Sequence, residues 1–240
     1  MAQSSLSMMK KEQSRRIQTS VLNAVEKRVL VWLAQRQPRC VTSDMLTALG
    51  VVGAVVVAVG YVCSNYNIGW LWLSSLGYVI NWYGDSLDGT LARVRGTQRP
   101  IYGFFLDHNI DGVTMAIMCI GAGLSCLLNL YIAMGVLVVY LILSISVYIN
   151  AHLRGEFKLT YAGMGPTEFR VIMIGVNTLF IFIAPLRDWS ACFTFARMPI
   201  TLGAFDFIGL IILVLLIVIY LNNFVHDVET YAKVDPMKPY

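Results

Sequence analysis

Four aspartates crowd one short polar stretch of an otherwise apolar chain. Asp85 and Asp88 stand in Asp85-Ser-Leu-Asp88-Gly89-Thr-Leu-Ala92-Arg93, and Asp107 and Asp111 in Gly103-Phe-Phe-Leu-Asp107-His108-Asn-Ile-Asp111. An ionised carboxylate beside hydrocarbon is costly unless it is paired, wetted or bound to a cation, so such a cluster points to a site rather than to scaffolding. On a helix, positions three or four apart share a face, and each pair therefore projects on one side. Two such faces brought together would offer up to about eight carboxylate oxygens to one or two divalent ions. Hard oxygen donors suit Mg2+ or Mn2+, typical partners of phosphates.

The residues between the acids fit the same chemistry. Gly89 and Ala92 leave the helix surface thin beside the carboxylates, and Gly103 does so four residues before Asp107, so a large ligand can approach the backbone there. Taken singly, these three would more often be helix-packing positions. Arg93 follows as a phosphate donor, with Arg95 and Arg99 close by. Carboxylates for metal, small residues for access and an arginine for phosphate together describe phosphoryl transfer, in which two cations about 4 Å apart neutralise a diphosphate and the leaving oxygen.

The elements that must position these groups are membrane helices. The chain is 57% hydrophobic, has a mean hydropathy of +0.66, and carries no Asp, Glu, Lys or Arg over residues 45–84, 112–153 and 207–226. With about 20 residues needed per crossing, and with breaks at Ser64-Asn65-Tyr66-Asn67 and near Leu128-Asn129, the pattern predicts an all-α integral membrane protein of six spans. These fall at about 44–64, 69–93, 103–127, 131–152, 168–185 and 203–225. Residues 17–37 set Val21, Val25, Val29, Leu30 and Leu33 among Lys27, Arg28 and Arg36, the pattern of an interfacial amphipathic helix. The expected organisation is therefore a cytoplasmic N-terminus and interfacial helix (1–42), a six-span catalytic membrane domain (43–225) and a cytoplasmic tail (226–240).

Of the 18 Lys and Arg residues, all but Arg187 and Arg197 fall in segments on one side of this layout, which assigns that side, with the aspartates, to the cytoplasm. The five cysteines, at 40, 63, 119, 126 and 192, lack close ligand spacing and read as small buried hydrophobes rather than as a zinc or disulfide set. No internal repeat or second soluble domain is visible, and no nucleic-acid partner is expected.

Asp85, Asp88, Gly89, Ala92 and Arg93, followed by Gly103, Asp107 and Asp111, resemble the signature Asp-x-x-Asp-Gly-x-x-Ala-Arg, gap, Gly-x-x-x-Asp-x-x-x-Asp of the CDP-alcohol phosphotransferase (CDP-alcohol phosphatidyltransferase) family. The gap here is the nine residues 94–102 where the family usually has about eight, and Gly96 and Pro100 suit a longer connecting loop. The resemblance implies release of CMP from a CDP-linked donor, transfer of a substituted phosphoryl group to an alcohol, and formation of a phospholipid. It also implies metal binding, by two Mg2+ or Mn2+ ions, at Asp85, Asp88, Asp107 and Asp111, with Asp111 taking the acceptor proton. Gly89, Ala92, Arg93 and Gly103 would lie against the CDP part.

Donor and acceptor are less directly encoded. His108 beside Asp107 resembles the choline and ethanolamine phosphotransferases, in which a CDP-linked head group meets a lipid alcohol. Arg99, Arg154, Lys158 and Arg170, with His108, are candidates for acceptor or phosphate contacts, and the number of bases favours a CDP-diacylglycerol donor with a polar acceptor. The rival role for these bases is ordinary inner-surface charge. Membrane lipids are expected partners and a homodimer is compatible. The location expected is a multi-pass protein of a cell inner membrane or endomembrane, its site facing the cytoplasm. An ion-coupled transporter is the alternative of a different class, since acids within spans also relay ions.

Overall fold

The computed structural model describes residues 15–17, 23–154, 156–158, 165–195 and 198–237. In chain order these form strand β1 (Arg15–Ile17), helices α1 (Asn23–Arg36) and α2 (Ser43–Cys63), a 3-10 turn (Ile68–Trp70), and helices α3 (Leu71–Arg95), α4 (Pro100–Gly123) and α5 (Leu130–Arg154). Strand β2 (Glu156–Lys158), helices α6 (Pro166–Phe182) and α7 (Ala184–Arg187), strands β3 (Ser190–Phe195) and β4 (Met198–Gly203), and helix α8 (Ala204–Val234) follow. The fold is largely helical. The short strands pair in twos, β1 with the distant β2 in parallel and β3 with β4 as an antiparallel hairpin running from Ser190 opposite Gly203 to Phe195 opposite Met198.

The expectation of six spans is overturned. Among the described residues three helices are long and apolar enough to cross a membrane: Ser43–Cys63, Leu130–Leu153 and Ala204–Val234. The other expected segments do form helices, but their composition or length departs from that of a span. Helix α3 carries Asp85, Asp88, Arg93 and Arg95, and α4 carries Asp107 and Asp111. Helix α6 has 17 residues and includes Glu168 and Arg170, so at 1.5 Å per residue it reaches only about 25 Å, short of the roughly 30 Å hydrocarbon layer. Over residues 211–221 the outer face of α8 is apolar, with Ile211, Val214, Val218 and Leu221 each more than half exposed, as expected of a protein associated with a membrane.

Helices α2 and α3 make the most extensive helix pair, because glycines let their backbones touch. A Cβ on Gly84 would sit 2.4 Å from the Gly50 nitrogen, one on Gly53 2.4 Å from the Asn81 nitrogen, and one on Gly77 2.5 Å from the Val57 nitrogen. No side chain fits at those distances, so the glycines set the α2–α3 separation and with it the depth at which Asp85 and Asp88 lie.

Two apolar clusters flank this pair. In one, Tyr61, Phe180 and Phe205 meet edge to face, with centroids 6.0 Å apart for Tyr61–Phe205 and 5.2 Å for Phe180–Phe205, and the Tyr61 hydroxyl donates to Asn177 Oδ1 at 2.9 Å. This fastens α6 and α8 to α2. In the other, Leu30 and Ala34 of α1 bury against Leu46, Leu87 and Leu91. Helix α1 thus spends one apolar stripe on protein and leaves Val25 and Trp32 more than half exposed, consistent with its amphipathic pattern.

Local signals end the helices at the carboxylate end. Thr42 caps α2, its side chain accepting from the Met45 nitrogen at 3.2 Å. Gly96, at φ 66°, closes α3 in the left-handed conformation that favours glycine, and Pro100 opens α4 at its first turn. Arg95 donates to the carbonyls of Val41, Gln37 (3.0 Å) and Pro38 (2.8 Å), pinning the α1–α2 linker to the end of α3.

Candidate metal centre

Asp85 of α3 and Asp107 and Asp111 of α4 come together, each half-buried and each offering a carboxylate oxygen within 4.8 Å of the others. The i,i+4 spacing turns Asp107 and Asp111 to one face of α4, and the α3–α4 turn at Gly96 brings that face to Asp85. Three carboxylates so close repel one another, and partial burial sharpens the repulsion. Arg170 of α6 offsets it from within: its Nη2 donates to Asp85 Oδ2 at 2.6 Å and its Nε to Asn81 Oδ1 at 2.8 Å. The donor set is all hard oxygen from charged groups and fits a hard divalent cation, which these residues would hold and which would supply charge neutralisation for a phosphate ligand.

Asp88 lies outside this triad. Its Oδ2 accepts from Thr47 Oγ1 at 2.6 Å, its Oδ1 from the Gly89 nitrogen, and its carbonyl from Ser43 Oγ at 2.9 Å. It still lines the cleft, about 390 Å³ in volume, onto which Asp85, Asp107 and Asp111 open. Helix α1 walls one side of the cleft through Glu26, Lys27 and Leu30, and the first turns of α2, α4 and α6 complete it.

The other predicted residues divide into three groups. Gly89, Ala92, Arg93 and Gly103 line the cleft. A Cβ at Gly103 would have nothing within 4 Å and one at Gly89 would meet only Arg93 Nη1 at 3.6 Å, so both glycines border open space rather than a packed neighbour. Arg93 Nη2 donates to Thr90 Oγ1 at 2.9 Å. Arg99, also on the cleft, lies 3.6 Å from Asp44 Oδ2 and over the Tyr102 ring.

His108 faces both ways. Its ring stacks on Phe104 with centroids 4.0 Å apart and packs against Tyr148, while Nδ1 stands 3.5 Å from Asp107 Oδ2. That is the environment of a histidine whose ring fills the gap between α4 and α5 and whose Nδ1 lies near a neighbouring carboxylate. Arg154 ends α5 and Lys158 ends β2, but their side chains lie outside the described residues, as do residues 159–164.

Four participants escaped the sequence: Thr47, which holds Asp88; Asn81, which holds Arg170; Ser43; and Glu26. Glu26 Oε1 accepts from Trp82 Nε1 at 2.9 Å and from Thr167 Oγ1 at 2.6 Å, tying α1 to both α3 and the start of α6 at the cleft. The one available signal was polarity inside apolar helices, since a buried Asn or Thr must find a partner.

Comparison with known proteins shows the family. Residues 40–224 match the model of the CDP-alcohol phosphatidyltransferase family. A phosphatidylinositol phosphate synthase of Cutibacterium acnes is 38% identical over 71 residues, 30% of this chain and 32% of that protein. The chain thus spans about a third of the length of the curated relative it matches.

Proposed function

From the premise that the chain belongs to the CDP-alcohol phosphatidyltransferase family and is an enzyme of that type, we propose that it transfers a substituted phosphoryl group from a CDP-linked donor to an alcohol. CMP is released and a phospholipid formed. The carrying observation is the convergence of Asp85, Asp107 and Asp111 from two helices onto one cleft. Such a cluster is what a diphosphate needs, because bound cations neutralise its charge and that of the departing nucleotide.

In this proposal Asp85, Asp107 and Asp111 would hold a first Mg2+ or Mn2+. Asp88 would help to hold a second, its carboxylate turning from Thr47 toward the cleft. Asp111 accepts the proton of the attacking hydroxyl, which requires the acceptor oxygen within hydrogen-bond reach. Gly89, Ala92 and Gly103 admit the CDP moiety to the backbone, and Arg93 meets its phosphates. CDP-diacylglycerol is the donor we favour, with a polar alcohol as acceptor, because Arg99 and Arg170 add positive charge to the same cleft. Arg154 and Lys158 would extend that anionic-acceptor site, and a homodimer is compatible with the apolar outer faces. The relative's name, phosphatidylinositol phosphate synthase, supports a product that carries a phosphatidyl group. The clustering of Arg93, Arg95, Arg99 and Arg170 at the cleft end supports a multi-pass protein whose site faces the cytoplasm.

Purified protein in detergent should release CMP from CDP-diacylglycerol only with Mg2+ or Mn2+ and an alcohol acceptor, and mass analysis should identify the phospholipid. Release from CDP-choline or CDP-ethanolamine with diacylglycerol, and none from CDP-diacylglycerol, would reverse the assignment of donor and acceptor. Asp111→Asn should keep much of the nucleotide affinity while sharply lowering kcat, complete separation being prevented by its share in the cation site. Equal loss of both would remove Asp111 from the role of base.

A further inference from the structure

The carboxylate cluster already contains a cation of the protein's own. Arg170 reaches it from α6 with its side chain 12% exposed, and two of its three guanidinium nitrogens are committed to α3: Nη2 to Asp85 Oδ2 at 2.6 Å and Nε to Asn81 Oδ1 at 2.8 Å. Asn81 is itself fixed, its Nδ2 donating to the Gly50 carbonyl at 2.8 Å across the glycine-tight α2–α3 contact. Arginine is suited to such a place, because its charge survives burial and its planar fork holds two acceptors at once. The fork therefore fixes the orientation of Asp85 and sets a positive charge against one of three carboxylates whose oxygens lie within 4.8 Å of one another.

We propose that Arg170 is the positioning residue and internal counter-charge of the cation site. It keeps Asp85 in the cluster when no ion is bound, and it weakens binding of a divalent ion by opposing that ion's charge. Without Arg170 the three acids repel one another, and a divalent ion would bind tightly enough to hinder exchange. With it, like-charge repulsion in the empty site is relieved and the gain on binding is smaller. The inference rests on the assignment of Asp85, Asp107 and Asp111 as a cation site, but it concerns affinity and can be tested without turnover.

The experiment is Mn2+ binding to the full-length protein in detergent, without nucleotide, by electron paramagnetic resonance of free Mn2+, paired with thermal unfolding in the presence and absence of Mn2+. Arg170→Gln keeps hydrogen-bonding capacity and removes the charge. It should bind Mn2+ at least about 3-fold more tightly than the parent and show a larger Mn2+-induced rise in Tm. Arg170→Met, a second uncharged replacement, should also bind more tightly, so that misfolding of one variant leaves the other to decide. Arg170→Lys, charged but without the fork, should stay within about 2-fold of the parent. In an Asp85→Asn background, the gain in Mn2+ affinity from Arg170→Gln should shrink without vanishing, because the part exerted through that carboxylate is lost while the guanidinium still opposes the ion. Unchanged or weaker Mn2+ binding in both uncharged variants, with the parent binding normally, overturns the counter-charge role and leaves the cation site standing. A parent protein that takes up no Mn2+ overturns the cation site and the inference together.

Discussion

Acids stand at both ends of the helix bundle, and they are used in opposite ways. At the end formed by the start of α8 and the α4–α5 turn, Asp206 is 6% exposed and both of its oxygens serve backbone donors. Oδ1 accepts from the Asn129 nitrogen at 2.6 Å and Oδ2 from the Gly203 nitrogen at 2.8 Å. It caps a helix and ties a turn to it. At the other end Asp85, Asp107 and Asp111 converge on one another, and Asp85 accepts from the guanidinium of Arg170. Asp206 is spent on the backbone of its own end, whereas Asp85, Asp107 and Asp111 are gathered from two helices where a cation can meet all three. Asp88, which accepts from Thr47 and the Gly89 nitrogen while lining the cleft, stands between the two cases.

The largest effects should break that contrast if it is wrong. Asp85→Asn and Asp107→Asn are expected to lower CMP release by at least about 100-fold, beyond what loss of an outer-shell partner does to a metal site, with little change in Tm. Asp206→Asn should do the reverse. Turnover should stay within about 3-fold while Tm falls by roughly 2–4 °C, the size expected when a protein of this length loses about 1 kcal/mol of capping. Loss of activity in Asp206→Asn comparable to that in Asp107→Asn, measured as CMP release at a temperature where both remain folded, would remove the distinction. Chelation sharpens it further: EDTA should abolish CMP release from the parent, and Mn2+ added in excess should restore it.

Much of the carboxylate end was legible in the sequence because its chemistry is periodic. The spacing of Asp107 and Asp111 alone places them on one face, and Gly96 and Pro100 mark the turn that swings that face toward Asp85. What could not be read are contacts set by tertiary packing. Thr47 lies 41 residues from Asp88, Asn81 89 residues from Arg170, and Glu26 141 residues from Thr167. None of these polar residues differs by type or spacing from an ordinary one. The six expected spans failed for a related reason. An uncharged run shows that a segment is apolar, but α3 and α4 continue beyond their apolar portions into the charged cleft, and α6 is short.

An intermediate effect is expected at Thr47, which separates Asp88 from the triad. Thr47→Val removes the 2.6 Å hydrogen bond while keeping the shape of the side chain, and should change the Mg2+ dependence of turnover by roughly 10-fold, near the low end of the about 1.5–3 kcal/mol of a hydrogen bond to a charged group. Thr47→Ser should behave as the parent. Identical Mg2+ curves for Thr47→Val and the parent would show that the orientation of Asp88 is set elsewhere.

The smallest effect on activity, and the cleanest separation of scaffold from site, is expected from a pair of glycines. A Cβ at Gly84 would press to 2.4 Å from the Gly50 nitrogen and 2.5 Å from the Leu46 carbonyl oxygen, whereas one at Gly103 would meet nothing within 4 Å. Backbone atoms cannot yield as a flexible side chain can, so Gly84→Ala must force α2 and α3 apart and should lower Tm by several degrees, about 1–3 kcal/mol of overpacking. Gly103→Ala should leave Tm unchanged, since the added methyl occupies the cleft. Its cost should appear as a KM for the CDP-linked donor raised by about 3- to 10-fold with kcat nearly constant, the mark of lost ground-state binding. A drop in Tm for Gly103→Ala, or an unaltered donor KM, would mean that Gly103 serves the helix rather than the ligand.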